Sequence, residues 1–331
     1  MNKEEIIVKF ADRNAKTIIN MYLQQNYKSF FLHLSTCVMF LLASCQSGPV
    51  EPEEQCTVTF SVSNYRQISF DDLSSLGMSR ATISMTLANL SLTIFNAETN
   101  EQVSPTILHK STDYDSDAET AMTFPKFSVN LPYGRYRVLV LGYNSSRECN
   151  IASLNHISWV EDYVPNTFLY CEEFMLNDET SLSKEITLKH VVSAFRVTAE
   201  DAIPVELKKM RFISTAGGTV LDAMTGFAPQ STGRTSEIDV PASYAGKEGV
   251  DFTVYLFLPE EQTTGNYTVQ ALGQNDVVLC QKHFYDVPLR INYLTVWQGK
   301  AFEQGDIDTP DAQSNFEIKW NMDWAGTIPI P

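Results

Sequence analysis

The side chains that could do chemistry are few and scattered. In "DYDSDAET", Asp113, Asp115 and Asp117 stand two apart, like the first three ligands of an EF-hand loop. That loop also needs glycine at its sixth position and a bidentate glutamate at its twelfth. Here those positions hold Ala118 and Phe124, so a solvated acidic hairpin loop is expected rather than a cation site. Gly217-Gly218 is followed by Thr219-Val220-Leu221 and by no Gly-Lys-Ser/Thr. It therefore reads as a hairpin turn and not as a phosphate cradle. His109, His156, His190 and His283 lie in unrelated contexts, with no HExxH and no GxSxG elbow. Trp159, with Tyr163 and Tyr170 close in sequence, allows a sugar-stacking platform, although aromatics covering an inter-sheet edge give the same pattern. No catalytic, cofactor or metal residues are expected.

Two further groups are candidates for covalent or assembly chemistry. Lys28 precedes a mostly apolar run from Phe30 to Ala43, about the length of a signal-peptide h-region and short for a membrane span. The run ends in Leu42-Ala43-Ser44-Cys45, which resembles a bacterial lipobox, so Cys45 is the expected lipidation site. Residues 1–44 then read as a cleaved leader and signal peptide, beginning at Met1 or Met21, and 45–55 as a lipidated tether, "CQSGPVEPEEQ". Of the cysteines beyond, Cys56, Cys149, Cys171 and Cys280 could pair in three ways. Cys149 and Cys171 flank one loop-rich stretch and are the best candidate disulfide; buried free thiols are the alternative.

Charge narrows the partners. The 331-residue chain has 24 basic against 40 acidic residues, a net of −16. Without residues 1–44 it has 19 against 37, a net of −18. Such a surface repels phosphate backbones, and Lys208-Lys209-Met210-Arg211 is too small a basic knot to offset it, so nucleic acid is excluded as a partner.

The elements that must position these residues are strands. "CTVTFSVS" alternates Val58, Phe60 and Val62; "ANLSLTIFN" alternates Leu90, Leu92 and Ile94. "YGRYRVLVLGYN" is apolar on both faces from Val138 to Leu141, as a central strand would be. The pattern recurs in "VSAFRVTAED", "LKKMRFIST", "EGVDFTVYLFLP" and "GNYTVQALG". Turn chemistry separates them at Leu131-Pro132-Tyr133-Gly134, Pro259-Glu260-Glu261-Gln262 and Thr264-Gly265-Asn266. No segment sustains a helical period. The prediction is an all-β protein of two sandwiches, residues 56–185 and 186–331, divided near the polar "NDETSLSKE". The final "NFEIKWNMDW" puts Phe316, Ile318, Trp320, Met322 and Trp324 on one face. Such a strand either completes its own sheet or is donated to another molecule.

In their order along the chain, the lipobox, "LPYGRYRVLVLGYN", "LKHVVSAFRVT", "VPLRINYLTVWQGKAF" and "FEIKWNMDW" resemble the fimbrillin-like proteins of Bacteroidales type V fimbriae. The likeness is greatest to the anchor or minor-subunit branch and covers most of residues 45–326. It implies two tandem transthyretin-like, Greek-key sandwich domains without an active site, and partnership with other fimbrial subunits through β-strand addition. It also implies an outer-membrane location, lipid-anchored through Cys45, with Glu51, Glu53 and Glu54 resembling the signal for the outer face. Stalk subunits of the family lose an N-terminal strand to a protease that cuts after arginine. Arg66 and Arg80 are the early candidates, neither in a recognisable cleavage context, so an uncleaved anchor or accessory subunit is expected. A surface glycan-binding lipoprotein of a polysaccharide-uptake system is the alternative.

Overall fold

The computed structural model describes residues 55–64, 87–111, 125–177, 181–303 and 316–320. Cys45, the tether, Arg66, Arg80, the Asp113–Asp117 loop, Met322 and Trp324 lie outside them. The described residues are all-β, with eighteen strands and three short 3-10 turns. No helix among them is long and apolar enough to cross a membrane.

The first ten strands are β1 (Gln55–Asn64), β2 (Asn89–Asn96), β3 (Ile107–Lys110), β4 (Phe127–Pro132), β5 (Gly134–Asn144), β6 (Cys149–Ser153), β7 (His156–Trp159), β8 (Asn166–Leu176), β9 (Ser181–Thr187) and β10 (Lys189–His190). They form a sheet of order β4-β1-β9, a sheet of order β10-β8-β5-β2-β3, and the β6-β7 hairpin. β1 runs antiparallel to β4 and parallel to β9. Its alternation turns Cys56, Val58 and Phe60 into the core, where none is exposed to solvent. Leu90, Leu92 and Ile94 of β2 come from the facing sheet to meet them in one cluster.

The sequence pattern of β5 has a direct structural counterpart. Val138 and Val140 belong to the first core, while Leu139 and Leu141 belong to a second cluster on the other side of the same sheet. A strand apolar on both faces is needed because both faces are covered.

From Ser193 the sheets change. The strands here are β11 (Ser193–Ala199), β12 (Lys209–Ser214), β13 (Arg234–Asp239), β14 (Val250–Leu256), β15 (Gln262–Leu272), β16 (Val278–Arg290), β17 (Tyr293–Gly299) and β18 (Phe316–Trp320). They form two four-stranded sheets, β14-β11-β17-β18 and β13-β12-β15-β16. Phe195, Phe212, Tyr267, Phe284 and Trp297 fill the core between them, with Phe195 and Tyr267 rings 4.4 Å apart.

Three local readings are corrected. Ser181–Thr187, read as a polar boundary, is strand β9, paired with β1. Its half-wet alternation hid it, because it lies at a sheet edge. Thr264-Gly265-Asn266 is not a turn; β15 runs through it, with an irregularity in its register to β16 between Gly265 and Tyr267. A Cβ on Gly265 would lie 2.6 Å from that of Ala216, so the backbones approach too closely for a side chain. Gly217-Gly218 does not close a hairpin from β12 into its neighbour. It opens an excursion, residues 215–233, that leaves the sheet before β13 returns to pair with β12.

Candidate assembly edges and the junction cluster

β18 joins its own chain. It pairs antiparallel with β17, placing Phe316, Ile318 and Trp320 opposite Trp297, Thr295 and Tyr293. Trp297 faces the sandwich core. β18 is the last strand in its sheet order, so one of its two rows of backbone N–H and C=O groups has no strand partner in the described sheet. A row of this kind is what an added strand requires. β1 is the opposite case, bonded on both sides by segments distant in sequence.

The other notable feature is a cluster shared by both halves. Leu154, Ile157, Trp159 and Val164 of the first half pack with Leu221, Ala223, Ala228 and Phe257 of the second. The 215–233 excursion supplies most of the second set. Its backbone pairs with that of β7 and the β6-β7 turn: Ile157 N–H donates to Leu221 C=O at 3.0 Å, Leu221 N–H to Ile157 C=O at 2.8 Å, and Ala223 N–H to Leu154 C=O at 2.7 Å. Gly218 N–H donates to Phe257 C=O at 2.9 Å. Gly217 takes φ +79, open mainly to glycine, and a Cβ on Gly218 would sit 2.7 Å from the Gln230 carbonyl.

Trp159 lies in this cluster. Only 2% exposed, it stacks on Phe257 with centroids 5.8 Å apart and meets Tyr143 edge-on at 5.4 Å. The sugar-platform reading is therefore overturned for Trp159, whose faces are taken up in packing. Tyr163 carries the Arg147 guanidinium at 4.6 Å. Tyr170 donates to Glu172 at 2.6 Å, with Lys184 over its ring.

His190 fastens the crossing between halves. Its Nδ1 lies 2.9 Å from Asn292 Oδ1, and its Nε2 is hydrogen-bonded to the Asn166 side chain. Asn166 is on β8, whereas Asn292 sits in the β16–β17 turn with φ +65, a left-handed conformation asparagine tolerates. Asn292 also donates its N–H to Val192 C=O at 2.8 Å. Full burial pushes the imidazole pKa down to about 4, against the Asn292 hydrogen bond, which raises it.

The four described cysteines are unbridged in the structure. Cys149 on β6 and Cys171 on β8 both border the shared cluster. Burial pushes their thiols up to about 12 and about 11 respectively, which leaves little reactive thiolate at neutral pH. No group of three or more His, Cys, Asp or Glu residues suited to a metal ion occurs among the described residues. The basic knot is neutralised locally: Lys209 and Arg211 of β12 both pair with Glu237 of β13.

No protein-family model and no curated protein matches the chain. Solved structures do. An adhesin candidate from Bacteroides ovatus is 13% identical, covers 72% of this chain and 86% of its own, and has a TM-score of 0.41. The chain is similar to Bacteroidales fimbrial and adhesin proteins. The tip fimbrial protein Mfa3 of Porphyromonas gingivalis, with a C-terminal truncation, is 10% identical over 80% of this chain and 98% of its own, at TM-score 0.37. The fimbrial anchor protein Mfa2 of the same organism is 8% identical over 80% and 94%, at TM-score 0.36.

Proposed function

We propose that the chain is a structural subunit of cell-surface fimbriae, held to the outer membrane by lipid on Cys45 and joined to neighbouring subunits by β-strand addition. The observation that carries the assembly mode is β18, an edge strand bonded on one side only among the described residues. A strand from a neighbour would add along its free side or replace it, with Phe316, Ile318, Trp320, Met322 and Trp324 as the strand-addition face. Main-chain hydrogen bonds would supply affinity, and alternate side chains the register.

The two sandwiches are read as transthyretin-like domains, dividing where sheet membership changes between β10 and β11. β1 fits an uncleaved anchor or accessory subunit. Its core side chains are fully buried, so cutting after Arg66 would strip the first sandwich of a central strand.

Deleting the gene from the source bacterium and imaging whole cells by negative-stain electron microscopy tests this reading. Fibres lost from the surface, or shed into the medium, are expected, and restoration by the intact chain but not by Cys45→Ala. Unchanged attached fibres in the deletion strain would overturn it.

A further inference from the structure

The edge strands β13 and β14, last in their two sheets, flank a cleft of about 580 Å³ beside the β7–β8 connection. Arg147, Tyr163, Arg234, Ser236, Thr253 and Tyr255 contribute to its walls. Three carboxylates also reach the cleft, and each is already matched. Glu161 pairs with Arg147 at 2.6 Å. Asp251 takes Arg196 at 2.9 Å and the Thr198 hydroxyl at 2.6 Å. Glu237 takes Arg211 at 2.6 Å and Lys209 at 3.1 Å.

Arg234 breaks this pattern. Its Nη1 donates to the Tyr255 backbone carbonyl at 3.0 Å, while its Nε is buried without a hydrogen-bond partner among the described residues. Burial pushes its pKa down to about 10, with Tyr267, Tyr163 and Asp162 pulling the other way, so it stays a cation at neutral pH. A desolvated guanidinium with an unused donor is costly until a counter-charge is supplied. A carboxylate matches its planar fork bidentately, as a phosphate also does.

The rest of the wall selects what bears that carboxylate. Ser236 and Thr253 bring hydroxyls, and Tyr163 and Tyr255 bring rings. Arg234 itself covers the β14 edge at Tyr255, and a cation on a strand edge obstructs an added strand. A compact, hydroxyl-rich acid fits this arrangement better than an extended peptide.

We propose that the cleft between β13 and β14 binds a carboxylate-bearing saccharide, such as a uronic acid residue, with Arg234 pairing its carboxylate. Ser236 and Thr253 hydrogen-bond the sugar hydroxyls. The site lies away from β18 and does not depend on the assembly reading.

Isothermal titration calorimetry of the full chain at about 0.15 M salt tests the site with trigalacturonate, galactotriose and a triglutamate peptide. Trigalacturonate should bind, and galactotriose should bind about tenfold more weakly or not at all. Arg234→Gln should weaken trigalacturonate by about tenfold or more, Arg234→Lys less, and Arg290→Gln, paired elsewhere with Glu261, not at all. Circular dichroism checks each variant. If Arg234→Gln does not fold, Arg147→Gln carries the test, because it frees the Glu161 carboxylate to repel the ligand and should also weaken binding. No heat with trigalacturonate, equal affinity for galactotriose, unchanged binding by a folded Arg234→Gln, or tighter binding of triglutamate would each overturn the proposal. None of these outcomes bears on whether fibres form.

Discussion

β1 and β18 are the first and last described strands, and they are held in opposite ways. β1 lies between two partners, with Cys56, Val58 and Phe60 at zero exposure. β18 has one partner and five residues. Both read in the sequence as alternating amphipathic strands. The difference lies in who supplies the neighbours: β4 and β9 reach β1 from distant parts of the chain, while β17 is the only strand paired with β18 among the described residues. Amphipathic alternation therefore says that one face is covered, but not whether both edges are.

That contrast can be broken first at β1. Phe60→Ala should cost about 3–5 kcal/mol, because the ring is fully buried and packs edge-on against Phe174 at 5.6 Å. Urea unfolding would measure it, and a loss below about 1 kcal/mol would mean that β1 is not integral to the sandwich.

The second test separates the edge from the crossing that ties the halves together. His190 is neutral in the fold, with its pKa pushed down to about 4 from an ordinary 6.5. The unfolded chain therefore binds the extra proton first, and stability falls as pH drops below about 6.5, levelling off near 4. The loss is on the order of 3 kcal/mol. Chemical denaturation at stepped pH should show this acid limb in the native chain and a flatter one in His190→Gln. Equal slopes would contradict the assignment.

The smallest effect sharpens the edge itself. Glu317→Pro and Ile318→Pro remove neighbouring N–H groups on β18, and in an edge strand only alternate groups bond to the partner. One substitution should cost about 1 kcal/mol and the other nearly nothing. Thr57→Pro and Val58→Pro in β1 should both destabilise, since each N–H there faces a partner strand. Matching costs at 317 and 318 would mean that β18 is bonded on both sides.

Much of the fold was legible because two-residue alternation and turn residues act locally. β5 was readable as central from Val138 to Leu141 alone, and the Leu131–Gly134 turn does join β4 to β5. What the sequence hid depends on distant contacts. β9 is polar on its outer positions and is recognised as a strand only by its parallel register with β1. The sequence left Trp159 open between a platform and an edge cover, because Phe257, which stacks on it, lies almost a hundred positions away. The 215–233 excursion carries mixed residues without a period, since it makes single bridges rather than a ladder. The Arg234 cleft was invisible for a similar reason. Its cation stands out only once the carboxylates that line the cleft, Glu161, Glu237 and Asp251, have been matched to other partners.

Strand exchange between subunits requires that the place of β18 can be filled in trans. A chain ending at Ser314 and starting at Gln46 should still fold, with a lower thermal midpoint than its counterpart ending at Pro331. A synthetic peptide of residues 315–327 should then bind saturably and raise that midpoint. If the truncated chain unfolds and the peptide restores nothing, β18 is a fixed part of the core and a neighbour's strand does not replace it.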